Sequence, residues 1–117
     1  MIKGFFKKLG LKLFRKKVSE EVRVNGKKIL FKGLMTETHG EIPKKARIFL
    51  LEKAGSTTPF YFYKKEEKFI LDLRMVSSEF REKKEIEALM NSIGLGRYLK
   101  KKNFYYFDEL RLNKFNK

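Results

Sequence analysis

The spacing of apolar positions changes period along the chain, and each change marks an element. Ile2, Phe5, Phe6, Leu9 and Leu13 fall at i, i+3, i+4, i+7 and i+11. That places them on one stripe of a helix over residues 1–17. Gly4 and Gly10 weaken this helix by roughly 1 kcal/mol each relative to alanine, so it is expected to need a surface to hold it. From residue 18 to 34 the period drops to two, in VSEEVRV and KKILFKGL, around Asn25-Gly26. Asn-Gly suits a two-residue type I′ turn, whose two central residues need φ > 0. The turn sets Val22 opposite Ile29 and Val24 opposite Lys27. Val22, Val24, Ile29 and Phe31 then share one face, with Glu21, Arg23 and Lys28 on the other.

A loop is expected over residues 35–46, which hold His39-Gly40 and Pro43. The short apolar run RIFLLE, 47–52, predicts a central strand buried on both faces. A second hairpin follows, with a four-residue loop over 64–67 pairing Phe62 with Phe69 and Phe60 with Leu71. Phe60, Phe62, Phe69, Leu71 and Leu73 form its apolar face, and Tyr61, Tyr63, Ile70 and Asp72 its opposite face. Ser77-Ser78 offers an N-cap, with Glu79 and Glu82 in the first turn, for a helix running to about Ile93. Its stripe is Ile86, Leu89, Met90 and Ile93, and Gly94 is its stop. Residues 103–107, NFYYF, suggest one more strand, and the last ten residues carry no decisive pattern.

These elements predict an α+β protein: a basic amphipathic N-terminal helix over 1–17, then one α+β domain over 18–117. The domain holds a mostly antiparallel sheet of about five strands with one main helix packed on it. A chain of 117 residues has room for one real core. No apolar run reaches the ~18 residues that cross a bilayer, and the lysine-interrupted N-terminus does not resemble a secretory signal. The protein is therefore expected in the cytoplasm.

Composition narrows the chemistry. The chain has no cysteine and a single histidine, His39, which removes thiolate metal sites and the usual nucleophile–base pairs. Gly94-Leu95-Gly96 is a helix stop and not a phosphate-binding loop, because the third glycine and the preceding strand are missing. Asp72, Glu37, Glu41, Asp108 and Glu109 show no spacing that would gather them around a metal. The expectation is a protein that is not an enzyme and carries no cofactor and no metal.

Charge supplies the positive signal. Lysine and arginine number 29 against 14 acids, a formal net charge of +15. Self-repulsion of that size points to a polyanionic partner. Lys3, Lys7, Lys8, Lys12, Arg15, Lys16 and Lys17 crowd the first segment without one acid. Lys64, Lys65 and Lys68 flank the Tyr61/Tyr63 face, where exposed rings would stack bases while lysines hold phosphates. Arg97, Lys100, Lys101 and Lys102 run into the aromatic stretch 104–107, a pattern that suits single-stranded nucleic acid.

The first functional expectation is therefore a non-catalytic nucleic-acid-binding protein of low sequence specificity, RNA or DNA, as a subunit of a ribonucleoprotein or a DNA-associated complex. The second is a peripheral membrane protein that lays Phe5, Phe6, Leu9 and Leu13 into an anionic lipid interface. The third is an adaptor or inhibitor that docks its basic face on an acidic protein surface.

Overall fold

The computed structural model describes residues 21–116. The amphipathic segment 1–17, with its seven cations and its expected membrane anchors, lies outside the described residues. Seven strands form one sheet among the described residues: β1 (Glu21–Val24), β2 (Lys27–Leu34), β3 (Arg47–Lys53), β4 (Ser56–Lys65), β5 (Lys68–Asp72), β6 (Phe104–Phe107) and β7 (Leu112–Lys114). Their order across the sheet is their order in the chain. All neighbours are antiparallel except β5 and β6, which run parallel. A parallel pair needs a crossover. Here it is residues 73–103, which carry a 3₁₀ turn at Ser77–Glu79, the helix α1 (Lys83–Ser92) and a second 3₁₀ turn at Gly96–Lys100.

The expected α+β class and single main helix hold for this region, and the strand count is seven instead of five. Of the two strands beyond five, one is marked in the sequence and only the last is not. The aromatic stretch expected at 103–107 supplies β6, and β7 folds back on it around Asp108. The Asp108 carboxylate accepts the backbone N–H groups of Leu110 (2.8 Å) and Arg111 (2.9 Å), which closes the reverse turn. Those donors, that of Arg111 foremost, hold its carboxyl below the usual aspartate range.

The first hairpin has the expected register, Val22 opposite Ile29 and Val24 opposite Lys27. Asn25 and Gly26 take φ of 53° and 81°, as a type I′ turn requires. The second hairpin departs from expectation. Its turn is two residues, Glu66-Glu67, and its pairs are Phe62 with Leu71 and Lys64 with Phe69. The register moves by two residues, which preserves every side chain's face. Both glutamates have positive φ, 52° and 65°. Nothing in Glu-Glu favours that conformation. The fold imposes it from outside: Asn103 donates its side-chain amide to the Glu67 carbonyl (2.9 Å), and the Phe69 N–H bonds the Asn103 carbonyl (2.8 Å).

These two turns predict opposite outcomes. Gly26→Val puts a β-branched residue at positive φ and is expected to lower stability by over ~1 kcal/mol. The double change Glu66→Asn, Glu67→Gly relieves the left-handed glutamates and is expected to raise stability by about 1–2 kcal/mol, or Tm by roughly 5–10 °C. Thermal melts of the two variants check both, and an unchanged Tm in the double variant would mean that the Glu-Glu turn stores no strain.

The main core lies between the crossover and one sheet face. Phe31, Phe49, Phe60 and Phe80 form a continuous run of rings, with successive centroids 5.5, 5.2 and 6.4 Å apart. Phe80 is buried in an extended conformation (φ −136°, ψ 77°), so no helix can pass through it. This is why α1 begins after Glu82 and not at Ser77-Ser78. At the new start, the Glu85 carboxylate accepts the N–H groups of Glu82 (3.0 Å) and Arg81 (2.9 Å), which lower its pKa. Ile86, Leu89 and Met90 are fully buried, and Ile93 ends the stripe. At the other end Gly94, with φ 83°, completes a Schellman motif: its N–H bonds the Asn91 carbonyl (3.2 Å), and that of Leu95 bonds the Met90 carbonyl (2.8 Å).

Strand β3 is third in the sheet, but only one of its faces is fully buried. Phe49 and Leu51 enter the core, whereas Ile48 and Leu50 are half-buried on the second face. The expectation of burial on both faces fails because α1 covers one face alone. A smaller cluster on the second face gathers Ile42, Ala46, Tyr63 and Ile70 beneath the 35–46 loop.

Candidate functional site

The sheet's alternation decides which of the singled-out residues meet. Tyr61 and Tyr63 point to the second face of β4, and Lys64 to the first. Tyr63 is 4% exposed, so the expected stacking platform does not exist at that position. The covering element is the 35–46 loop. Tyr61 is half-buried in the same cluster.

Tyr63 instead belongs to a polar network. Its hydroxyl donates to Asp72 (2.9 Å), itself 3% exposed. Arg74 grips the same carboxylate through Nε (3.0 Å), Nη2 (2.7 Å) and its backbone N–H (3.2 Å), and reaches Glu41 with Nη1 (2.7 Å). The guanidinium also lies 4.2 Å from the Phe107 ring centre. Burial, then the Asp72 charge, drive the Tyr63 phenol well above its ordinary pKa. Hydrogen bonding to Asp72 raises that of Arg74. The network ties the loop to the sheet. Asp72 and Glu41 are thus brought together, but with an arginine between them. No group of three or more potential metal ligands forms among the described residues.

The basic residues of two distant segments do converge. Lys64 and Lys101 both lie over the Phe69 ring, at 5.5 and 5.8 Å from its centre. Phe69 is 4.8 Å from the Tyr98 ring, and Arg97 lies 4.7 Å above Tyr98. Strand β4 supplies Lys64 and the turn after α1 supplies Arg97 and Lys101, so the aromatic pair is where the segments meet. That turn is held from behind by Asn116, whose side chain donates to the carbonyls of Leu99 (2.6 Å) and Lys101 (2.8 Å). Lys100, Lys101 and Lys102 are all exposed. Lys64, Arg97 and Lys101 therefore crowd this end, with Lys100 and Lys102 exposed on either side of Lys101 in the chain, against Glu66 and Glu67 in the adjoining turn. Glu67 engages Lys64 at 3.6 Å.

Lys65 is exposed on the second face, where its ammonium bonds the Glu41 carbonyl (3.4 Å) and its strand partner is Lys68. Lys68 lies 5.7 Å from the Tyr105 ring, and Tyr105 pairs with Lys114. Sequence reasoning marks Lys68 beside the Tyr61/Tyr63 face but does not mark Lys114. The Lys65–Lys68 pairing follows only from the two-residue turn, and that of Lys114 only from β7.

A hollow of about 520 Å³ lies at the other end of β4, among Arg23, Lys28, Lys53, the Ala54-Gly55 turn and the first two residues of β4. Its size does not make it the better candidate. Lys28 is paired with Glu21 and Glu52, Lys53 with Glu79, and Arg23 with Glu21, so little charge remains to draw an anion. Among the described residues no helix is long and apolar enough to cross a membrane.

Comparison with protein families, with curated proteins and with solved structures finds no match to this chain.

Proposed function

We propose that this chain is a non-catalytic nucleic-acid-binding protein of low sequence specificity. The observation that carries the reading is the meeting of Lys64, Arg97 and Lys101 around the Phe69–Tyr98 pair. An ammonium or guanidinium held against a ring gains about 0.5–1 kcal/mol at an exposed site. It also gives up side-chain freedom before any ligand arrives, so less is lost on binding phosphate. Lys100 and Lys102 extend the same positive field. Contacts of this kind go to the phosphodiester backbone, which positions a protein on nucleic acid without reading bases.

Fluorescence anisotropy with labelled DNA and RNA across a salt series tests the reading. With four to six phosphate contacts, log K is expected to fall against log salt with a slope of roughly −4 to −5 on duplex DNA. Unrelated sequences of equal length are expected to bind alike. The absence of binding at low salt would refute the proposal. Co-flotation with anionic vesicles distinguishes the membrane reading: vesicle binding that disappears when residues 1–17 are deleted, without nucleic-acid binding, would favour it.

A further inference from the structure

The rings of this surface are already occupied. Proteins that hold single strands do so largely by offering aromatic faces to unstacked bases, and each stacked base contributes roughly 5- to 150-fold in affinity. Phe69 has Lys64 and Lys101 over it, stacks on Phe62 with their planes 6° apart, and meets Tyr98 at 50°. Tyr98 lies between Phe62, at 4.9 Å, and Phe69, and carries Arg97. On the reverse side Tyr105 carries Lys68. Tyr63, a ring that sequence alone marks for stacking, is buried. Lysine and arginine thus take the places a base would need.

Resting on the nucleic-acid reading above, we infer that the ligand is double-stranded, held by its phosphates, and that single strands bind more weakly. A duplex presents one negative charge per ~1.7 Å of axis, about twice the density of one strand. Its rigid backbone meets prearranged cations without having to be ordered. A flexible strand loses that freedom on binding, and no stacking offsets the loss on these rings. The cations also lie on both sides of the same sheet end, with Lys64, Arg97 and Lys101 on one and Lys65, Lys68 and Lys114 on the other. Such an edge faces a dense line of charge better than an isolated phosphate.

The experiment measures the full chain against a mixed-sequence duplex of about 20 DNA base pairs, an RNA duplex of that sequence and each separated strand, at equal salt. Duplexes are expected to bind at least ~10-fold more tightly than their strands near 100 mM salt. Tyr98→Leu removes the ring that holds Arg97 and is expected to weaken the duplex at least as much as the strands. Equal or tighter binding of the strands, or a selective loss of strand binding in Tyr98→Leu, would overturn the inference and leave the nucleic-acid reading standing. Binding of neither form would overturn both. The wild-type ratio decides the matter even if the variant is poorly folded.

Discussion

Asp72→Ala is expected to cost about 3 kcal/mol of folding stability, the lower end for breaking a buried ion pair, because Asp72 is buried whereas its partner Arg74 is a third exposed. Asp72 accepts from the Tyr63 hydroxyl and from three nitrogens of Arg74. Without it, a buried phenol and a part-buried guanidinium lose their acceptor together. Glu41, at 2.7 Å from Arg74, is the remaining acid, and it lies on an exposed loop. Denaturant titration checks the magnitude. A loss below ~1 kcal/mol would mean that water or Glu41 takes over the role of Asp72.

The same network gives stability a dependence on alkaline pH. In the unfolded chain a tyrosine ionises near its ordinary pKa of about 10. In the fold, burial and the Asp72 charge push Tyr63 higher. Above that ordinary value the unfolded state releases its proton first, so stability is complete below it and declines as pH rises toward the folded value. Tyr63→Phe is expected to flatten this alkaline decline. It is also expected to cost about 1–2 kcal/mol at neutral pH, because the hydrogen bond to a charged acceptor is gone. A decline of equal steepness in the variant would assign it to the lysines or to another tyrosine.

What is legible in the sequence is what local chemistry determines. Asn25-Gly26 sets a register because its backbone preference and the flanking alternation agree. Gly94 sets a helix end for the same reason. The Glu66-Glu67 turn misleads because its conformation is imposed by Asn103, 36 residues away. The helix start misleads because Ser77-Ser78 resembles a cap, whereas the burial of Phe80 beside Phe60 determines where helical geometry can begin. Asp108, followed by Leu110 and Arg111, is a readable turn signal for β7 that the ambiguous composition of the tail conceals. The candidate surface is half legible: Lys64, Arg97 and Lys101 are each marked by neighbouring aromatics. Their meeting at Phe69 depends on the crossover and on the position of the turn after α1. The reverse error, assigning stacking to Tyr63, arises because the pattern along β4 does not tell what the 35–46 loop covers.

The triple variant Lys64→Ala, Arg97→Ala, Lys101→Ala is expected to weaken duplex binding at least ~10-fold at 100 mM salt, about 1.4 kcal/mol. If each cation meets a phosphate, the salt slope becomes shallower by about 0.9 for each phosphate no longer engaged, or roughly 2.7 in all. Stability is expected to fall by up to about 1.5–3 kcal/mol, the sum of three exposed ring interactions of about 0.5–1 kcal/mol each, so binding is compared where both proteins are folded. Lower net charge by itself produces part of the weakening, so the comparison that isolates the patch is Lys27→Ala, Lys28→Ala, Lys53→Ala. That variant removes the same amount of charge from the far end of β4, where Lys27 and Lys53 pair with Glu79 and Lys28 pairs with Glu21 and Glu52. Those cations are already neutralised by neighbours. Their removal frees carboxylates and should lower affinity only through the general field, which is screened beyond about 10 Å at 0.1 M salt. A much larger weakening, with a shallower slope, in the Phe69–Tyr98 variant locates the phosphates there. Equal weakening with parallel salt slopes would mean that the duplex responds to the net charge of the molecule and that this surface holds no particular place in binding.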